Sequence, residues 1–152
     1  MASILTLVTG QPQRELAPGD TLIEEGEAGG ELYVLEKGRL VVERDGVEIA
    51  TIIEPGALIG EMSVLLGVDH SATVRADGPC TVRVIEDAVS FLERTPLMAL
   101  HVATLACERL DRTSALVVQL RKEAEEKADD QGVWSRIFSA LSGPSGRAAE
   151  HE

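Results

Sequence analysis

Aromatic residues, cysteines and positive charges are all scarce in this chain of 152 residues. Aromatic residues make up 3% of the sequence, so its hydrophobic core has to be built mainly from Val, Ile, Leu and Ala. The 14 Lys and Arg residues are outnumbered by 26 Asp and Glu residues, which leaves a formal net charge of −12. This balance argues against nucleic acid or an anionic membrane as the main partner, because both attract clustered positive charge.

The few metal-binding and nucleophilic side chains form no recognisable set. Cys80 and Cys107 are far apart and make no CxxC motif, which argues against a disulfide framework or a zinc site, and we expect both to be small buried hydrophobic residues. His70, His101 and His151 have no paired ligand spacing, so no metal site is predicted. Since no Ser–His–Asp or Cys–His set stands out either, the sequence does not indicate an enzyme.

Long apolar runs are also missing. The first ten residues, MASILTLVTG, have no basic start, and their apolar run is too short for a signal peptide. No segment reaches the ~18 apolar residues of a membrane span. The sequence therefore predicts a cytoplasmic protein without a membrane segment, with one domain and a helical appendage.

Short apolar runs with period-two alternation, separated by turn residues, fill residues 14–86. Asp45-Gly46 lies between two β-branched runs and is a strong hairpin signal, because a tight hairpin turn needs positive φ. Many short strands at regular spacing predict a sandwich, jelly roll or barrel rather than a parallel sheet. The pattern predicts strands at residues 21–23, 32–35, 40–44, 47–53, 73–76 and 80–85, whereas residues 4–8 suit either a short strand or a helix.

Helical periodicity begins after residue 86. Asp87 is a candidate N-cap for a helix from Ala88 to Arg94, and Pro96 suits the first turn of a long helix that extends to about Lys127. A helix of about thirty residues is ~45 Å long, more than one small roll covers. We therefore expect two chains to pair along this helix, with packing on its own roll as the alternative. The predicted seam has steps of three and four: Leu100, Ala103, Cys107, Leu110, Ser114 and Val117.

A compact amphipathic helix is predicted within residues 129–141, where a charge-and-glycine break precedes the apolar residues. These residues have the i, i+3, i+4 and i+7 spacing that suits a groove on a partner protein: Trp134, Ile137, Phe138 and Leu141. We favour a helix that folds back on the roll or on a second copy of the chain, with docking on a partner protein as the alternative. Residues 142–152 have the composition of a disordered tail.

The stretch that carries the chemistry is residues 59–73, IGEMSVLLGVDHSAT. Gly60 allows the backbone to approach a ligand closely, and a helical turn beginning at Met62 would direct unpaired N–H groups at an anion. Glu61 is suited to accept hydrogen bonds from sugar hydroxyls, and Ser71 to donate to a phosphate oxygen. The alternative is a glycine turn with an ordinary surface glutamate.

This stretch resembles the phosphate-binding cassette of the cyclic nucleotide-binding domain family, which includes the bacterial catabolite-activator regulators. The family pattern is Gly-Glu-Leu/Met, a small residue, two apolar residues, a short spacer and Arg-Ser/Ala-Ala. The resemblance covers about residues 14–120 and includes the upstream glycines of PGD, EEGE, EKGRL and PGALIGE. It implies a mainly β fold with added helices: a double-stranded β-helix (jelly roll or β-roll) at about residues 14–86, helices at about residues 87–128 and a domain end near residue 128.

The resemblance also implies a ligand, a cyclic nucleotide such as cAMP, with no other cofactor. It assigns to the ligand Gly60, Glu61, Met62, His70, Ser71 and Ala72 in the cassette, and the Thr113–Ser114 pair. In the bacterial regulators such a pair touches the purine, one residue reaching from the partner subunit, and the long helix is the dimer axis. Only about 25 residues follow the long helix here, too few for a helix-turn-helix DNA reader. We therefore expect a stand-alone homodimeric module that acts on a separate effector protein.

The chain departs from the family at the phosphate, because the phosphate-pairing arginine falls on His70. Arginine offers two parallel N–H bonds and a permanent charge, whereas histidine offers one useful donor and is only partly protonated near neutrality. This loss costs roughly 2–4 kcal/mol, or about two to three decades in affinity. One hypothesis is a sensor with reduced or altered affinity that binds better below about pH 6.5. The other is a ligand-free interaction scaffold of the same fold.

Overall fold

A computed structural model describes residues 3–127 and 131–142 of the chain. Within these residues eight strands and five helices follow one another. In chain order they are α1 (Ile4–Leu7), β1 (Gln13–Leu16), β2 (Thr21–Ile23), β3 (Leu32–Lys37), β4 (Leu40–Arg44), β5 (Val47–Ile52), β6 (Leu58–Ile59), α2 (Glu61–Leu66), β7 (Thr73–Ala76), β8 (Cys80–Ile85), α3 (Ala88–Arg94), α4 (Pro96–Lys127) and α5 (Gln131–Leu141).

The strands form two four-stranded sheets in which every pairing is antiparallel. The first sheet has the order β1-β8-β3-β6 and the second the order β2-β7-β4-β5. Neighbours in each sheet are mostly distant in sequence, as the long connections of a jelly roll require. The predicted β-roll, followed by a short helix and a long helix, is therefore confirmed.

The hairpin between β4 and β5 turns at the predicted dipeptide. Asp45 has φ 51° and Gly46 has φ 76°, and the flanking Arg44 and Val47 are paired across the turn. Two successive positive φ values characterise the type I′ turn, whose twist matches that of the strands it joins.

Two apolar clusters hold the roll together, one on each face of the first sheet. The inner cluster combines side chains from both sheets, including Leu35, Leu40 and Val82, each of which has no exposed surface. The outer cluster packs α1, α3 and the start of α4 against the other face, where Val34 and Met98 are fully buried. Alternate residues of β3 enter different clusters because successive side chains of a strand point to opposite faces.

The helices after the roll begin where the sequence predicts. The side chain of Asp87 accepts a hydrogen bond from the backbone N–H of Ser90 at 3.4 Å and caps α3, and α4 begins at Pro96 and is 32 residues long. Residues 4–8, left open above, begin with the one-turn helix α1. Of the two cysteines Cys80 is buried as expected, but the prediction for Cys107 is wrong because its side chain is exposed. Residues 103–116 of α4 contain no buried side chain, so this stretch offers no core for a cysteine to enter.

The chain divides into two compact units after Leu105, a point within α4. In the second unit α5 occupies most of the segment in which an amphipathic helix was predicted, and the guanidinium of Arg121 lies 4.8 Å from the ring centroid of Phe138. The predicted domain end near residue 128, and the predicted disordered tail beyond Ser142, lie outside the described residues. In the described part of the chain, no helix has the length and apolarity needed to cross a membrane.

Candidate functional site

The cassette lies between β6 and β7 as a tight turn, the six-residue helix α2 and a second turn. Gly60 ends β6 with φ 88°, and Gly67 closes α2 with φ 63°. A Cβ atom on Gly60 would stand 2.9 Å from the carbonyl oxygen of Glu31, closer than real Cβ atoms come to a neighbour. Both the backbone conformation and the space therefore require glycine here. The helix starts at Glu61, one residue before the predicted position.

His70 is held in place by its backbone and by its side chain. Its carbonyl accepts a hydrogen bond from Gly26 N–H and its own N–H donates to the carbonyl of Glu27, both at 2.8 Å. These two bonds attach the cassette to the β2–β3 loop. His70 is 9% exposed, and Nδ1 of its imidazole lies 2.9 Å from the hydroxyl oxygen of Ser63 in α2.

Gly29, in the β2–β3 loop, closes the space around this pair. A Cβ atom added to Gly29 would overlap the Cβ of Ser63 and would stand 3.2 Å from Cε1 of His70. The loop therefore packs its backbone directly against the Ser63 and His70 side chains. This contact joins three segments that are separate in sequence: the β2–β3 loop, α2 and the turn before β7.

The predicted ligand residues of the cassette all lie in the first unit and differ in exposure. Met62 and Ser71 are exposed, Gly60, Glu61 and Ala72 are half-buried, and His70 is buried. Their assignment to a ligand stays a prediction. Met62 is 54% exposed, so the hydrophobic core does not account for its position.

Thr113 and Ser114 belong to the second unit and are exposed on α4. The Thr113 hydroxyl donates to the carbonyl of Arg109, four residues earlier, at 2.9 Å. Such a bond back to the preceding turn is what a threonine within a helix often makes without any ligand. The role of this pair in ligand binding also stays a prediction.

A polar cluster that sequence reasoning missed lies next to the cassette. Tyr33, in β3, pairs with Ile59 just before the cassette, and its hydroxyl donates a short hydrogen bond to the carboxylate of Glu31. The guanidinium of Arg14 stands 5.5 Å from the centroid of the Tyr33 ring. Burial, reinforced by the bond to Glu31, raises the pKa of Tyr33 to about 12. A tyrosine in an otherwise apolar run, LYVL, was the available signal.

Ser63 was missed for a different reason. It occupies the small-residue position of the family pattern, and its hydroxyl is an unremarkable feature of the sequence. Only the fold shows that it lies opposite His70, seven residues later.

The predicted dimer seam and docking helix are largely accessible in the single chain. On α4, Leu100 and Leu110 are 62% and 67% exposed, and Val117 is half-buried. On α5, Ile137 and Leu141 are exposed, whereas Trp134 and Phe138 are half-buried. Over residues 3–127 and 131–142, no group of three or more His, Cys, Asp or Glu side chains is placed to hold a metal ion.

Sequence comparison matches residues 13–92, more than half of the chain, to the profile of the cyclic nucleotide-binding domain. The potassium/sodium hyperpolarization-activated cyclic nucleotide-gated channel 4 of Homo sapiens is 33% identical over 97 residues, which are 62% of this chain and 8% of the channel. The matched segment is thus a small part of that relative.

Solved structures include the same architecture. The catabolite activator protein of Thermus thermophilus is 26% identical, with a TM-score of 0.67 over 78% of this chain and 59% of that protein. The N-terminal domain of a transcriptional regulator from Streptomyces coelicolor A3(2) is 30% identical, with a TM-score of 0.54 over 73% of this chain and 81% of that domain. With its β-roll, its cassette and the matched profile, the chain belongs to the cyclic nucleotide-binding domain family.

Proposed function

We propose that this chain is a cyclic nucleotide sensor, a regulatory module that binds cAMP or a related cyclic nucleotide and acts through protein contacts. The observation that carries the proposal is the backbone conformation of the cassette and the order of its polar residues. Gly60 adopts a left-handed conformation that only a glycine fits beside Glu31, and Glu61, His70 and Ser71 follow within one continuous segment. Such a close backbone approach, with donors around it, suits a cyclic phosphate.

The proposed roles divide between sugar and phosphate. Glu61 accepts hydrogen bonds from the ribose, and the exposed Ser71 hydroxyl donates to the phosphate. His70 replaces the family's arginine as a weaker donor, because one imidazole N–H takes the place of a charged bidentate contact. We infer a reduced affinity relative to a site with arginine.

The proposed output uses the last two helices, α4 and α5. The exposed apolar seam of α4 supports pairing with a second copy of this chain, since Leu100 and Leu110 are otherwise left in water. The exposed Ile137 and Leu141 of α5 support docking of a separate effector protein in a groove.

Titration calorimetry with cAMP, cGMP and cyclic dinucleotides tests the proposal at about pH 6 and about pH 7.5. We expect heat of binding from at least one of these ligands. Glu61→Gln and Ser71→Ala should each weaken binding by roughly three- to tenfold or more, the contribution of one hydrogen bond. Asp69→Asn, an exposed cassette residue with no assigned role, is the matched control and should bind as the unsubstituted chain does. Absence of heat with every ligand at both pH values would contradict the proposal.

One observation favours the alternative of a ligand-free scaffold. The imidazole of His70 is already hydrogen-bonded to Ser63 inside the protein. One of its two ring nitrogens therefore has a partner without any ligand. Under this alternative, substitutions at Glu61 and Ser71 change no binding property, whereas substitutions on α4 or α5 do. Partner binding that is independent of every cyclic nucleotide would favour the scaffold.

A further inference from the structure

We infer that Ser63 is a positioning residue: it fixes the neutral imidazole of His70 in the tautomer with its proton on Nε2, so that the cassette presents one oriented N–H donor. For the ligand this inference rests on the proposed function, but the tautomer is a property of the free protein. The same contact makes Ser63, in addition to His70, a determinant of affinity.

The Ser63–His70 hydrogen bond has a direction that burial determines. Ser63 is 6% exposed, and among the described residues the one hydrogen-bond partner of its hydroxyl is Nδ1 of His70 at 2.9 Å. If Nδ1 carried the proton, the hydroxyl would accept and its own O–H would be buried without an acceptor, which costs free energy. The satisfied arrangement has Ser63 donating to an unprotonated Nδ1. In a neutral imidazole the proton then lies on Nε2.

The other ring nitrogen of His70, Nε2, is open to solvent. No buried side-chain nitrogen or oxygen of the described residues lacks a partner, and no described residue forms a hydrogen bond with Nε2. Nε2 therefore keeps some contact with solvent, although His70 as a whole is 9% exposed. The adjacent ring atom Cε1 lies 4.0 Å from the Cβ position of Gly60 and 3.2 Å from that of Gly29. Cε1 lies between Nδ1 and Nε2, so the edge of the ring that carries both nitrogens is the edge beside these two glycines.

Ser63 and His70 are both held in place by their neighbours. Ser63 cannot move away from His70, because Gly29 packs against its Cβ and the Ser63 carbonyl accepts the N–H of Gly67 at 3.0 Å. His70 is held by its two backbone bonds to the β2–β3 loop. Because both residues are held, the hydrogen bond sets the orientation of the His70 ring as well as its tautomer. A second hydrogen bond plays the same role for functional histidines in other proteins.

Nitrogen-15 NMR of the free, uniformly labelled protein at about pH 8, where an ordinary histidine is neutral, tests the tautomer directly. We expect the His70 ring to show a protonated Nε2 and a hydrogen-bonded, unprotonated Nδ1, with His101 and His151 as internal references. Ser63→Ala keeps the Cβ against Gly29 and removes only the hydroxyl, and it should move the Nδ1 shift away from the hydrogen-bonded value. A proton on Nδ1, or shifts unaffected by Ser63→Ala, would overturn the inference.

A double-mutant cycle on cAMP affinity tests the functional part. Ser63→Ala should weaken binding by roughly three- to tenfold in the unsubstituted chain, as expected for one hydrogen bond. In a His70→Gln background, whose side chain has no equivalent of Nδ1, Ser63→Ala should change affinity by less than about twofold. Equal losses in both backgrounds would overturn the positioning role. If cAMP does not bind at all, the proposed function fails, and the NMR result alone decides the tautomer.

Discussion

At the scale of single residues, His70 occupies the position at which the proposed site would meet the negative charge of a phosphate. Its ring is buried, bonded to Ser63 and flanked by Gly29, so its freedom is small. The carboxylates of Glu61 and Asp69 are close in sequence, and they offer nothing to a phosphate. Under the proposed function, the affinity for a cyclic phosphate would therefore depend on one imidazole donor, on Ser71 and on backbone groups.

Restoring the arginine should raise the affinity. His70→Arg should tighten cAMP binding by about two to three decades, since a charged bidentate contact replaces a single donor. The measurement is calorimetry at near-neutral pH, with circular dichroism to show that the longer side chain leaves the roll folded. His101→Arg adds the same charge on α4, outside the cassette, and should leave the affinity within about twofold. Equal gains from both variants would mean that net charge, rather than the position of His70, limits binding.

Tyr33 gives a second prediction at this scale, on stability at alkaline pH. Its folded pKa of about 12 exceeds the ordinary 10.0, with burial as the largest cause. Because the pKa is higher in the folded state, ionisation of the phenol favours unfolding. The contribution of the neutral phenol to the free energy of unfolding is therefore complete below pH 10 and is lost as the pH rises towards 12. We expect roughly 3 kcal/mol to be lost over this window, measured by urea unfolding at fixed pH.

Tyr33→Phe should remove most of that alkaline loss, because phenylalanine has no proton to release. Glu31→Gln is the matched control: it removes the carboxylate but keeps the phenol buried, so a smaller alkaline loss should remain. If Tyr33→Phe unfolds with the same pH profile as the unsubstituted chain, another group is responsible.

At the scale of elements, α4 combines two environments along one continuous helix. Its first two turns are anchored in the outer cluster through Met98 and Val102, whereas Leu110 is 67% exposed. A leucine that is exposed in one chain gains about 1.5–3 kcal/mol when it is buried. Burial of the seam would thus supply free energy for the proposed pairing with a second copy.

Leu110→Glu should weaken the proposed homodimer by at least about tenfold, because each of two chains loses a buried leucine and gains a charge. Sedimentation over a concentration series measures the dissociation constant. Leu116→Glu is the matched control, since Leu116 is 53% exposed but lies off the seam. A monomeric unsubstituted chain, or an equal effect from both substitutions, would contradict the seam.

The sequence predicts most elements, and the exceptions have physical reasons. The six strands with alternating β-branched residues appear where the pattern places them, and the Asp45–Gly46 turn is determined by local conformation. β1 has one buried residue, Leu16, and β6 is only two residues long, so neither produces an alternating pattern. The cassette was identifiable from its glycines and Glu61. The Ser63–His70 bond was not, because it depends on the packing of three segments.

At the scale of the whole molecule, a ligand that binds only the folded state stabilises the fold by mass action. At a concentration one hundred times its dissociation constant, cAMP should raise the free energy of unfolding by about 2.7 kcal/mol. For a chain of this size we expect the melting temperature to rise by roughly 5 °C or more. Differential scanning calorimetry measures the shift. At the same cAMP concentration Ser71→Ala should shift less, and an identical shift would place the ligand elsewhere.

The two-unit organisation also supplies the chain with two optical labels. Trp134 is its one tryptophan and lies in α5, beyond the division at Leu105, whereas Tyr33 is its one tyrosine and lies in the inner cluster of the roll. Indole fluorescence therefore follows only the helical unit, and phenol absorbance only the roll. Coincident denaturation curves from the two chromophores would show that both units melt in a single cooperative step, and separated curves would give their order without any added dye.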